Sequence, residues 1–228
     1  LYAFLMLLVC TPLHWITLAR RSRRASAVQE ADELAPIDRP RFILLALSFA
    51  ASGFVTWGFA LTIIILLEAT GLDHASALAA AAFIGIAQWA GRLIDFVGGR
   101  RYSGFIIGLA SSALFPLSFM PLLLTSNFAG AVLFATLYGI ASGISAVTRA
   151  TLPLQIFPAA AYARASAQLA VPLNLSYAAA PPAFAAILTS AGPYTALLLA
   201  LAISIFAFGT LLSLLLLHRR VKRKLRQN

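Results

Sequence analysis

Few side chains in this chain have the means to do chemistry, and they fall into two groups. The first is the stretch GRLIDFVGGRR at 91–101, where Asp95 follows Gly91 by one helical turn and Gly98, Arg100 and Arg101 close the run. A carboxylate at the edge of an apolar segment is stable only when paired, either with the nearby arginines or with the positive N-terminal end of an adjacent helix. The second group is neutral. Thr56, Trp57, Gln88, Tyr138, Ser142, Asn174 and Tyr177 lie near the middle of long apolar segments. Hydroxyls, amides and aromatic rings can hold a solute by hydrogen bonds and stacking, but nothing among them activates a nucleophile. Cys10 is the only cysteine. The sequence has no His/Glu/Cys cluster for a metal, no nucleophile elbow and no phosphate-binding glycine loop followed by Lys. It therefore predicts no enzyme, no cofactor and no metal.

The elements that must position these groups follow from composition. Hydrophobic residues make up 61% of the 228 residues and charged residues 11%, with a mean hydropathy of +0.90. A water-soluble domain built this way could not cover itself with polar surface, so the solvent is a bilayer. The net charge of +10 is not a nucleic-acid signature here, because no soluble fold is left to carry a basic patch.

A helix crosses about 30 Å of hydrocarbon with about 20 residues, and period-two alternation of a barrel is absent. The apolar runs predict seven spans, at 1–18, 42–69, 75–96, 102–124, 128–150, 166–190 and 194–217. The fold class is all-α, a polytopic membrane helix bundle. Its parts are a partial transmembrane helix at 1–18, a charged linker at 19–41, a six-helix bundle at 42–217 and a basic tail at 218–228. With these spans every Lys and Arg falls on one side. The positive-inside rule places that side, and the C-terminus, in the cytoplasm, so the expected location is the plasma (inner) membrane. The tail is an anchor and a contact for anionic lipid heads.

Broken helices mark transporter sites near the bilayer midplane. The expected hinges are Gly53 and Gly58 in the second span, Gly139 and Gly143 in the fifth, and Pro172, Pro181 and Pro182 in the sixth. Gly139 and Gly143 read equally well as a helix-packing surface, and Gln88 and Asn174 as interhelical hydrogen-bond partners. Asn174 and Tyr177, three apart, are expected on one face. Glu68 and His74 stand at the outer edge and Arg149 at the inner edge, so no ionisable group is expected at mid-depth in the six complete spans. His14 is the exception in the first span, read as hydrogen-bonded structure rather than a relay.

The run Gly91, Asp95, Gly98, Arg100 resembles the signature loop of the major facilitator superfamily, Gly-x-x-x-Asp-Arg/Lys-x-Gly-Arg/Lys-Arg/Lys, in a degraded copy with Phe96 and Gly99 at positions the pattern prefers basic. The resemblance extends to the order of parts: one span, a long charged loop, six spans and a basic tail. It implies the sixth helix and the C-terminal six-helix half, two three-helix inverted repeats, of a twelve-helix transporter whose first five helices are missing from this sequence. By resemblance, Gly91, Asp95, Gly98, Arg100 and Arg101 form a cytoplasmic gate, and the protein carries a small organic solute by alternating access. Its partners are then the lipid bilayer, that solute, the missing N-terminal half, and a coupling proton or ion whose titrating group lies in that half. The neutral, aromatic polar set suits a neutral or amphipathic solute. Two alternatives share the topology, a seven-helix receptor and a non-functional truncated gene product.

Overall fold

The computed structural model describes residues 37–98 and 102–227 together with Pro12, with side chains up to residue 220. Apart from Pro12, the expected first span lies outside the described residues, as do Gly99, Arg100, Arg101 and most of the linker. Among the described residues the secondary structure is helical: α1 Arg39–Gly58, α2 Ile63–Ala69, α3 His74–Gly98, α4 Gly104–Leu124, α5 Phe128–Ile156 and α6 Ala159–Gln227. Five of these, all but α2, are long and apolar enough to cross a membrane. The chain is thus a multi-pass membrane helix bundle.

Local chemistry sets the ends. Asp38 caps α1, accepting from Arg41 N at 3.4 Å and pairing with Arg41 Nε at 3.1 Å, while Pro40 fills a first-turn position that needs no N–H. The helix therefore starts at Arg39, inside what the sequence assigned to the linker. The expected single span at 42–69 is two helices, because α1 stops at Gly58 and the chain turns through Phe59–Thr62, with Ala60 N donating to Trp57 O at 3.1 Å. Gly71, at φ 105°, takes the left-handed position that closes α2. Asp73 then caps α3, accepting from Ser76 N at 3.2 Å, and His74 Nδ1 meets Glu68 Oε1 at 2.5 Å across the same connection. Asn127 Oδ1 caps α5, accepting from Gly130 N at 2.8 Å.

Helices α5 and α6 both run past their expected bounds. The sequence ended the fifth span at 150, just past the charge of Arg149, but α5 continues through Pro153 to Ile156. Likewise α6 begins at Ala159 rather than 166 and carries the basic tail as helix to Gln227. Drawn straight it would be about 100 Å long, three times the hydrocarbon thickness. It bends at Gly192 (φ 83°, ψ 171°) just before Pro193, and its two limbs, 159–191 and 193–227, fold back on each other. Ala165 and Leu169 of the first limb share a core with Leu211 and Leu214 of the second, and Phe184 shares another with Leu197 and Ala200.

These are the two apolar cores, one at each end of the bundle. Helix α1 packs chiefly on α6, α3 on α5, and α4 on both α5 and α6. Between the cores runs a serine layer with almost no free space, in which Ser48 Oγ donates to Ala207 O at 3.2 Å and Ser111 Oγ to Ala141 O at 2.8 Å. The outer surface is apolar, with Phe96, Trp89 and Ile86 of α3 and Leu61 and Ile65 around α2 all exposed. In water such a surface would aggregate, whereas against lipid tails it is the expected one.

Candidate functional site

One large cavity, about 790 Å³, opens between the α1/α6 pair and the α3/α5 pair. That volume suits a drug-sized solute. Six of the seven neutral residues singled out by the sequence line it: Thr56 and Trp57 from α1, Gln88 from α3, Tyr138 and Ser142 from α5, and Tyr177 from α6. Asn174 does not. It is exposed, because a step of three residues turns about 60° around a helix axis, enough to carry it off the face that presents Tyr177. No residue of α4 or of the second limb of α6 lines the cavity.

The face of α5 explains the grouping. Tyr138, Ser142, Ala146, Arg149 and Ala150 recur at helical spacing and look into the cavity together. Gly139 and Gly143, on the neighbouring face, meet α3: a Cβ added at Gly139 would stand 2.6 Å from Ile84 O, and one at Gly143 would collide with Gln88 O. Helix α5 is unbroken there, and these two glycines are its contact points with α3. Pro172, Pro181 and Pro182 lie inside helical backbone, and the non-helical dihedrals of α6 fall at Gly192. Gly53 is likewise inside α1, packed on Leu173 and Tyr177, while Gly58 is where α1 ends, packed on Phe184.

The six neutral residues in the lining each have a partner. Tyr138, 3% exposed, sends its hydroxyl across to α1, at 3.0 Å from Val55 O and 2.9 Å from Thr56 O. These carbonyls lie in the last turn of α1, where the helix stops and its next N–H groups bond elsewhere, so Tyr138 fastens the break. Gln88 Nε2 donates to Ser142 Oγ at 3.0 Å. The rings of Trp57 and Tyr177 lie 5.3 Å apart between centroids, and Trp57 keeps nearly half its surface free, 46%. Thr56 Oγ1 donates to Ser52 O at 2.7 Å.

Arg149 is the residue the sequence reading underrated. Its Nη1 donates to Tyr177 Oη at 2.8 Å, its Nη2 approaches Thr56 Oγ1 at 3.4 Å, and its Cζ lies 5.7 Å from the Tyr177 ring centroid. Its Nε is shut off from solvent without a hydrogen-bond partner. Arg92 of α3 also lines the cavity, from an exposed position. The sequence alone counts both only among the charges of the basic side. The available signal was spacing: Arg149 stands eleven residues after Tyr138, three turns along the same face.

The gate stretch is described in part. Gly91 lets α3 approach α5, since a Cβ there would stand 2.5 Å from Ile140 O. Asp95, one turn on, is half-buried and has no ion-pair partner among the described residues, while Gly98 ends α3 in open space. Arg100 and Arg101 lie outside the described residues. Among the described residues no three His, Cys, Asp or Glu side chains converge as a metal site would need. No protein-family model and no curated protein sequence matches this chain.

Proposed function

We propose that the protein is a secondary transporter of the major facilitator type, represented here by its C-terminal half, and that the cavity between α1, α3, α5 and α6 is its half of the solute path. The observation that carries the reading is the cavity of about 790 Å³, walled by Thr56, Trp57, Gln88, Tyr138, Ser142 and Tyr177 inside a bundle whose outer surface is apolar. Such a site binds and releases; its hydroxyls, amide and rings offer no nucleophile and no base. The basic side of the bundle, with the C-terminus, faces the cytoplasm of an inner membrane, as the distribution of arginines favours. The stretch from Gly91 to Arg101 is the cytoplasmic gate.

The test is solute flux in liposomes carrying the full-length protein, screened over organic solutes, with Trp57→Ala and Asn174→Ala compared at equal protein content. Trp57→Ala is expected to reduce flux about tenfold by removing an exposed ring from the cavity wall, and Asn174→Ala to leave it unchanged. Flux that survives Trp57→Ala, or that falls equally in both variants, would overturn the assignment of this cavity.

A further inference from the structure

Among the described residues the cavity lining is cationic, and no carboxylate in it balances the charge. Arg149 and Arg92 are among its lining residues, and no Asp or Glu is. A guanidinium does not lose its proton in a protein. The hydrogen-bond partners of Arg149 are neutral, the hydroxyls of Tyr177 and Thr56, and its Nε has none. A charge held this way is uncompensated. Removing an ion from water is costly unless an opposite charge or a full set of hydrogen bonds answers it. The other walls are apolar or aromatic: Trp57, Phe59, Ile63, Ile84 and Leu173.

Resting on the transport reading above, we propose that the ligand of this cavity is an organic anion, an oxyanion head group on an apolar or aromatic body. The oxyanion is bound by the Arg149 guanidinium, with the Gln88 and Ser142 pair about two turns away along the same α3–α5 wall, and the body stacks on Trp57 and Tyr177 from the α1–α6 wall. Arg92, at the exposed part of the lining, draws the anion in. The neutral solute suggested by the mid-span residues alone is replaced, because the arginine that decides the charge lies two turns before the end of α5 and reaches Tyr177 on α6. A free carboxylate and the head group of an anionic lipid offer the same chemistry to Arg149.

The experiment uses the full-length protein in phosphatidylcholine nanodiscs and measures equilibrium binding of phenylacetate against phenylacetamide, which has nearly the same shape without the charge. Phenylacetate is expected to bind about tenfold or more tightly, the difference between charge-assisted and neutral hydrogen bonds. Arg149→Gln should remove that preference and Arg149→Lys should keep part of it. Equal binding of the two probes by the unaltered protein would overturn the proposal without relying on any variant, as would a preference that persists in Arg149→Gln. Exchanging the lipid for phosphatidylglycerol separates the sources. Loss of phenylacetate binding there, relieved by free-lipid removal, assigns the site to a lipid head group, and unchanged binding assigns it to a soluble anion. Flux in liposomes keeps the two readings apart: binding with charge preference but no flux sinks transport alone, and flux without charge preference sinks the anion alone.

Discussion

Glycines draw together both walls of the cavity, but at α3–α5 each one meets the partner's backbone, joined at Gly139 by the equally fixed Cβ of Ala87, whereas at α1–α6 each faces the partner's longer side chains. A Cβ at Gly91, Gly139 or Gly143 would strike the carbonyl oxygens of Ile140, Ile84 and Gln88. A Cβ at Gly53 would meet Leu173 Cδ1 and Tyr177 Cε1, both at 2.8 Å, and one at Gly58 would meet the ring of Phe184. Backbone cannot yield without moving a helix, while a side chain can change rotamer. The α3–α5 wall is therefore fixed, and the α1–α6 wall is adjustable where Gly53 meets the chain ends of Leu173 and Tyr177, though not at Gly58, where the Phe184 ring is fully buried. The same residue type teaches two lessons according to what stands opposite it.

The contrast is exposed to direct tests. The largest effect is expected from Gly143→Ala, which should destabilise the bundle by about 3 kcal/mol through overpacking against Gln88, read as the fraction of protein surviving heating in detergent. Tyr138→Phe comes next. It strands the Val55 and Thr56 carbonyls and should cost about 1.5 kcal/mol, accompanied by faster hydrogen exchange in the turn at 59–62. Gly53→Ala should cost under about 1 kcal/mol, since Tyr177 and Leu173 can shift. It should change solute binding more than stability, because Tyr177 holds Arg149. Equal losses in Gly53→Ala and Gly143→Ala would break the comparison between the walls. The smallest effect lies outside the membrane. Hydrogen bonds from the Ser76 hydroxyl and backbone N–H hold the exposed Asp73 carboxyl below its usual range. Its folded pKa is depressed, so its small contribution is complete above the unfolded carboxylate pKa and is lost as pH falls through the folded one. Asp73→Asn should flatten that acid limb of the thermal midpoint, and an unaltered limb would remove Asp73 from the account.

Much of the architecture was legible because lipid demands long apolar helices, and their runs, caps and turns are written in residue type. Asp38 before Arg39-Pro40, and Gly192 before Pro193, are local signals that need no tertiary information. What stayed hidden depends on where a side chain ends, not where it begins. Arg149 was placed at the membrane edge by its Cα, but its guanidinium reaches Tyr177 on α6. Asn174 and Tyr177 share a broad helix face, yet the cavity edge runs between them. That Gly139 and Gly143 admit α3 is seen only with α3 against them, since bending a helix and admitting a neighbour need the same absence of a Cβ.

Gly192 also bears on how the chain enters its membrane. At φ 83° and ψ 171° its backbone occupies a region that other residues reach only under strain, and Pro193 fixes the next turn. The two limbs of α6 are thus joined by the shortest of reversals, with no polar loop to be carried across separately. A larger residue at 192 would meet no neighbour, so its whole cost would fall on the backbone of the reversal itself.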